Sequence, residues 1–504
     1  SNAGGASISA SSFDRNTAHG LTVNTVDDIS LSDVSANDNG AFGAQVASSA
    51  GSVSIDPSYF NNNSAYGLQV DADRNIDLEF VQANDNTAYG ADLSSTTGAL
   101  TIGSSDFGGN GSYGLRAAAP GNVYVSNTTA SGNAGYGANL ASNGNLSLSS
   151  STFSANTGGV GVSLASNGSA SLKGVTAENN SSTGASISSL GGVAVEGGAF
   201  NSNTGAGLSV ASNSAVKLAG VGADGNTLAG ASIASGSNVF VDPSSFTGNG
   251  SDGLSISAAG GVILNEVYAA GNTGAGADVT ANGGVTVTGG SFSLNTGDGL
   301  NLVSGAGAIV KCMSAISNGG YGIDASLPGV LSTRGNILVG NASGALRISG
   351  GGTEDASDRD CGGWPHWDSS GLPWQVFHVN SGDSHTLECT QHGGTVLILP
   401  NWDHVAIPCP IAGDASLSSV TTDNLPGALG ESYKFVSGLD AEIKPAPDGD
   451  IRVDFLIPSA SMGTHLIILH WDGTTWVDRG GVQTSDNFFE ITTREGGVYL
   501  LVSQ

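Results

Sequence analysis

Through the first 350 positions, apolar residues alternate with polar ones in short runs. Gly20-Leu21-Thr22-Val23, Gly67-Leu68-Gln69-Val70 and Gly207-Leu208-Ser209-Val210 each begin with glycine and then place apolar side chains at every second position. A second alternating run follows, as in Ser52-Val53-Ser54-Ile55 and Asn145-Leu146-Ser147-Leu148. Period-two alternation with one apolar face predicts half-buried strands. These runs belong to a repeat. Asn16, Asn39, Asn63, Asn86, Asn110, Asn133, Asn156, Asn180, Asn203, Asn226, Asn249, Asn272, Asn295, Asn318 and Asn341 recur every 23 or 24 residues, and glycine follows four places later in thirteen of the fifteen turns. A unit this short cannot bury its apolar face alone, but copies stacked in register bury a continuous core. The expectation is all-β: a parallel β-helix of about 15 rungs over residues 4–350, roughly 70 Å long at ~4.8 Å per rung. Ser1-Asn2-Ala3 reads as a tag remnant, so the parent protein is expected to continue upstream.

A second layer sits on the repeat. Three residues before the asparagine, odd rungs carry Phe13, Phe60, Phe107, Phe153, Phe200, Phe246 and Phe292, and even rungs carry alanine, such as Ala36, Ala177 and Ala315. Two residues earlier the sizes reverse, with Ser58 or Gly198 on phenylalanine rungs and Val34 or Val221 on alanine rungs. Large over small on neighbouring rungs keeps the layers close-packed. The asparagine column is expected to form an inward ladder of amides bonded along the stack. The glycine column is expected to supply a positive-φ turn.

The pattern N-x-x-x-G-Φ-x-Φ, with Φ apolar, resembles the right-handed parallel β-helix repeats of the pectate-lyase-like superfamily, over residues 4 to about 350. The resemblance implies a right-handed coil. It leaves activity open, because that superfamily holds lyases, glycoside hydrolases, epimerases, phage tailspikes and non-catalytic adhesins. Pectate lyases of this fold use an acidic calcium cluster with an Arg or Lys base, and polygalacturonases use G-H-G and R-I-K segments. Neither segment occurs here: Ala18-His19-Gly20 and Arg347-Ile348-Ser349 are the nearest approaches. No acid cluster with a base at matched positions of neighbouring rungs is expected, which argues against catalysis in the coil.

Composition narrows the partners. Fourteen Lys and Arg stand against 43 Asp and Glu, for a net charge of −29. That argues against nucleic acid and anionic membranes as partners, since both need basic surface. No apolar run approaches the ~18 residues of a membrane span. An aromatic run just before the glycine, Phe42, Tyr66, Tyr89, Tyr113 and Tyr136, overlaps the most acidic third of the repeat and is a candidate sugar-binding column. Asp71, Asp73, Asp77 and Glu79 are a candidate Ca²⁺ patch, though without an ordered ligand spacing.

Beyond Gly350 the repeat stops. Residues 351–375 read as a linker rich in Gly, Pro and Ser, and residues 376–504 as a small antiparallel β-sandwich, with strand-like runs such as Thr395-Val396-Leu397-Ile398-Leu399. Trp364, Trp367 and Trp374 are a second candidate sugar platform or a seal between domains. Cys389 with Cys409, and Cys312 with Cys361, are candidate disulfides among three possible connectivities. The segment Leu469-His470-Trp471-Asp472-Gly473-Thr474-Thr475-Trp476-Val477, with Gly-Val-Tyr-Leu-Leu-Val near the C-terminus, resembles the terminal β-modules of large secreted bacterial repeat proteins. That likeness implies a secreted or cell-surface location. The expected function is a non-enzymatic, adhesin-like stalk that binds a polysaccharide or a host or neighbouring cell surface. A polysaccharide-active enzyme and a purely structural spacer are the alternatives. No cofactor is expected apart from Ca²⁺.

Overall fold

The computed structural model describes residues 4–355, 375–387, 394–399, 401, 403–408, 411, 413–430, 432–446, 449–457, 461, 465–483 and 488–504. The chain divides into two compact units, Ser1–Arg359 and Asp360–Gln504.

The first unit is a solenoid of parallel strands. One sheet has 15 strands, from Leu21–Thr25 and Ala44–Ser48 to Gly344–Ser349, one per rung; each is preceded by the repeat glycine except the last two, Tyr321–Ser326, which contains Gly322, and Gly344–Ser349, which starts on it. We call it the glycine-led sheet. The second sheet has 19 strands, such as Ile29–Ser35 and Val53–Tyr59. Those strands bend at a left-handed residue such as Asp33 (φ 54°) or Phe80 (φ 56°), which turns the chain toward the asparagine column. Pairing follows the repeat rung by rung, Leu68 with Ala44 and Ala91, Ile76 with Val53 and Leu100. Strand Thr353–Asp355 still pairs in parallel with Val330–Arg334, so the coil runs past the expected end at Gly350. The chain turns there through Gly350 and Gly351, at φ 73° and 88°.

The asparagine ladder is present. Asn156 donates both its backbone N–H and its Nδ2 to Oδ1 of Asn180, each at 3.0 Å, and Asn180 repeats this toward Asn203. Every asparagine from Asn16 to Asn318 bonds its successor in this way. The size alternation holds too: Phe60, Phe107, Phe153, Phe200, Phe246 and Phe292 are fully buried, as are Ala36, Ala83 and Ala177. Where a serine stands opposite the valine, it does more than leave room. Ser58 Oγ accepts the Val34 N–H at 3.2 Å, and Ser105 Oγ accepts that of Val81 at 3.1 Å.

The glycine column works differently from expectation. Apart from Gly344 in the last rung, its members do not take a positive φ. That conformation belongs to the residue before each asparagine, such as Asp38, Asn62, Gly109 or Ser202. The glycines are required by space. A Cβ at Gly184 would lie 2.6 Å from the carbonyl oxygens of Ala177 and Gly207 and 2.7 Å from Asn203 Nδ2. The ladder amides and two carbonyls fill the volume that any side chain would need.

The second unit pairs two six-stranded sheets, mostly antiparallel, with Gln375–His378 beside Gly394–Ile398 as a parallel pair. Leu397, Val405, Val453 and Ile491 from one sheet share a core with Leu417, Leu439, Ile468 and Leu501 from the other. This is a β-sandwich. Cys312 is disulfide-bonded. Cys361, Cys389 and Cys409 lie outside the described residues, so the pairings proposed from the sequence do too.

Candidate functional site

Outward positions on the glycine-led sheet form straight columns, because parallel in-register strands stack the same repeat position on every rung. One column reads Gln45, Gln69, Asp92, Arg116 on four successive rungs. Gln45 Nε2 donates to Gln69 Oε1 at 3.2 Å, and Arg116 Nη1 lies 3.4 Å from Asp92 Oδ2. Gln69 Nε2 also donates to Asp71 Oδ2 at 3.1 Å. One acid and one base therefore meet at matched positions on neighbouring rungs, a lone ion pair that the sequence reading did not single out. The missed signal was the repeat position itself: Gly90-Ala91-Asp92 and Gly114-Leu115-Arg116 place both residues two after the column glycine.

The aromatic column stands beside these groups. Tyr66, Tyr89, Tyr113 and Tyr136 stack nearly parallel, with centroids 4.7, 5.1 and 4.8 Å apart. Phe42 meets Tyr66 edge-on at 5.0 Å, and His19 stacks on Phe42 at 5.1 Å, extending the column to a ring that holds the same repeat position, just before Gly20. Small residues let the rings lie flat: a Cβ at Gly135 would sit 2.6 Å from Tyr113 Cδ1, and one at Gly159 only 2.1 Å from Tyr136 Cδ1. The stacked faces are turned to one another. What the column offers a ligand is edges and hydroxyls rather than free π-faces. Among the described residues, none of the four tyrosine hydroxyls has a hydrogen-bond partner. Burial pushes the Tyr66 hydroxyl above the usual phenol range; Tyr89 and Asp92 add to the shift and Arg116 opposes it. Burial likewise raises the Asp92 carboxyl, opposed by Arg116 and reinforced by Asp71.

The proposed calcium patch does not converge. Asp71 lies on strand Leu68–Ala72 of the glycine-led sheet and Asp73 in the turn after it, whereas Asp77 and Glu79 lie on Ile76–Glu79 of the bent sheet. Outward side chains of two different faces diverge. Among the described residues no group of three or more His, Cys, Asp or Glu side chains could hold a metal ion. Trp364, Trp367 and Trp374 fall outside the described residues. A groove of about 490 Å³ on the bent sheet, walled by Phe240, Ile263, Ile309 and Val330, is apolar and separate from the aromatic column.

The second unit holds a buried polar network that the sequence did not announce. Asp454 Oδ2 lies 2.8 Å from Arg452 Nε and 3.3 Å from His404 Nε2, and Arg452 Nη1 lies 3.4 Å from Glu490. Strand pairing places His404, Asp454 and Glu490 side by side. Asp403 accepts hydrogen bonds from Ser437, Asn401 and the Leu456 N–H, yet burial pushes its carboxyl up to about 7.

The coil, its amide ladder and the polar column on one sheet define a parallel β-helix protein. Residues 80–228 and 220–357 match the family model described as the right handed beta helix region. The matched spans cover more than half of the chain, and the chain belongs to this family. Among solved structures, the chain is similar to the Azotobacter vinelandii mannuronan C-5 epimerase AlgE4 A-module, at 12% identity and a TM-score of 0.33, over 70% of this chain and 91% of that one. No curated protein matches the sequence.

Proposed function

We propose that this chain is a non-enzymatic, extracellular, adhesin-like protein whose β-helix binds a polysaccharide along the outer face of the glycine-led sheet. The observation that carries the reading is the pair of adjacent columns at Tyr66–Tyr136 and Gln45–Arg116. One presents unbonded hydroxyls, the other amides, a carboxylate and a guanidinium, and both repeat at the rung spacing. An extended glycan laid along the coil would meet donors and acceptors at every rung. Glycan hydroxyls pair with carboxylate and guanidinium without desolvating a full charge of their own. The surrounding charge selects against polyanions: residues 1–106 hold 13 acids and two bases, a net of −11. A neutral glycan fits that field. Recognition here would run through hydroxyls and ring edges, since the ring faces are occupied by one another.

Affinity electrophoresis in gels containing hydroxyethylcellulose, laminarin or galactomannan tests this. The wild type is expected to be retarded in at least one gel without shortening the polymer. The double variant Tyr89→Phe/Tyr113→Phe keeps the stack and removes two hydroxyls, and it is expected to lose most of the retardation. Full retention by that variant would refute hydroxyl recognition. Shortened polymer would establish the enzyme alternative, and no retardation in any gel would leave the spacer.

A further inference from the structure

The polar column has a second four-rung run at the other end of the coil. Strand pairing aligns Asp278, Asn301, Asp324 and Arg347 on successive rungs of the same sheet face. Position for position this repeats Gln45, Gln69, Asp92 and Arg116 ten rungs later, each run ending in Asp then Arg. The local chemistry matches. Asn301 Nδ2 donates to Asp278 Oδ1 at 2.8 Å, a bond between the same two rungs of the run as Gln45–Gln69 but with the donor on the later rung. Arg347 Nε donates to Asp324 Oδ1 at 2.7 Å, as Arg116 pairs with Asp92. Exposure matches as well: the arginines are 54% and 52% exposed, and the carboxylates 11% and 20%. Each aspartate follows a tyrosine three residues earlier, in Tyr321-Gly322-Ile323-Asp324 and Tyr89-Gly90-Ala91-Asp92. At the far end the Arg347 guanidinium lies over the Tyr321 ring, 4.8 Å from its centroid, where the near end stacks further tyrosines. Between the runs the same column is Asn139 and then serine from Ser163 to Ser255.

Partly exposed cross-rung ion pairs add at most ~1 kcal/mol to stability, and the long serine interval shows that the coil stacks without them. We infer that the Asp324–Arg347–Tyr321 cluster is a second glycan-binding site, equivalent to the one at Asp92, Arg116 and Tyr89. The chain is thus bivalent toward a single neutral polysaccharide. This rests on the glycan reading of the near end. Ten rungs at ~4.8 Å put the sites about 48 Å apart on one face. A polymer long enough to span that distance engages both, and a short oligomer engages one at a time. Tethering of this kind raises affinity by roughly 10² to 10⁴ over a single site.

The test compares the same three gels with wild type, Arg116→Ala, Arg347→Ala and the double variant. Each single variant is expected to lose about a hundredfold or more in polymer affinity while remaining measurably retarded, and the double variant to lose retardation. Tyr321→Ser, which leaves the Asp324–Arg347 pair in place, is expected to weaken binding in the same direction and guards against a local unfolding effect of Arg347→Ala. Retardation unchanged by both Arg347→Ala and Tyr321→Ser would overturn the second site while leaving the glycan reading intact. Absence of retardation in the wild type would overturn both together.

Discussion

Replacing Asn180 with alanine cuts the amide ladder near its middle. Asn180 Oδ1 is the acceptor for the Asn156 backbone N–H and for Asn156 Nδ2. After the substitution the backbone N–H has no partner, whereas Nδ2 keeps the Ala130 carbonyl at 3.3 Å. Asn203 Oδ1 loses the Asn180 Nδ2 donor and keeps the Asn180 N–H at 2.9 Å. Asn156, Asn180 and Asn203 are all buried, so water does not stand in. An orphaned buried donor costs about 1–3 kcal/mol, and the half-lost amide bonds add to it, giving roughly 2–4 kcal/mol. With a guanidinium slope of about 6 kcal/mol per molar, the midpoint of the far-ultraviolet circular dichroism transition should fall by about half a molar. Asn143→Ala is the control. Its Oδ1 accepts only Asn167 Nδ2 at 3.0 Å on an exposed edge, so the midpoint should barely move. Equal shifts for the two variants, or none for Asn180→Ala, would refute the claim that the ladder holds the rungs together.

Three further outcomes follow from the same geometry. Gly184→Ala forces a Cβ against two carbonyls and a ladder amide, whereas Gly174→Ala meets nothing within 4 Å and strains only a φ of 60°. Gly184→Ala should therefore be the more destabilising in thermal unfolding, by over ~1 kcal/mol, and the reverse order would restore backbone conformation as the reason for the glycine column. Ala177→Phe puts a third ring into the buried layer of Phe153 and Phe200 and should cost about 3 kcal/mol. Adding Phe200→Ala should recover part of that loss, and no recovery in the same melt would count against the size alternation. Asp403 has its folded-state carboxyl raised by burial from 3.8 to about 7, so the fold favours its neutral form. Its contribution is fully present below pH ~4 and is lost as pH rises toward 7, by a few kcal/mol at about 1.36 kcal/mol per unit. Stability of the second unit, followed by tryptophan emission because all six Trp lie beyond Asp360, should decline between pH 4 and 7 in the wild type. A decline of the same size in Asp403→Asn would show that another group is responsible.

Much of the first unit is readable from the repeat alone. A period of 23 or 24 residues with alternating strands has one compact solution, because each unit must borrow its neighbours' apolar faces. The Phe–Ala alternation and the asparagine ladder are equally legible, since in-register stacking turns a sequence column into a spatial column. Tyr66, Tyr89, Tyr113 and Tyr136 are legible as a column for the same reason. What those tyrosines present is not, because ring orientation depends on packing, as where Gly135 and Gly159 leave room for Tyr113 and Tyr136 to lie flat on the stack. The glycine column reads in sequence as a φ requirement, because a sequence shows which residue is tolerated and not what surrounds it. Only the packed coil shows carbonyls and amides within 2.8 Å of the missing Cβ. The Asp92–Arg116 pair is legible in the repeat, two residues after the column glycine, whereas Arg347 follows Gly344 by three and meets Asp324 only once the register is fixed. Asp71 and Asp77, six residues apart, part company because the chain turns a corner between them onto another sheet. In the second unit, which has no repeat, pairing of distant strands is what assembles His404, Arg452, Asp454 and Glu490, and no local pattern records contacts of that separation. The sequence by itself determined what recurs with the repeat. The tertiary structure decided everything that depends on which faces the corners separate and which strands meet.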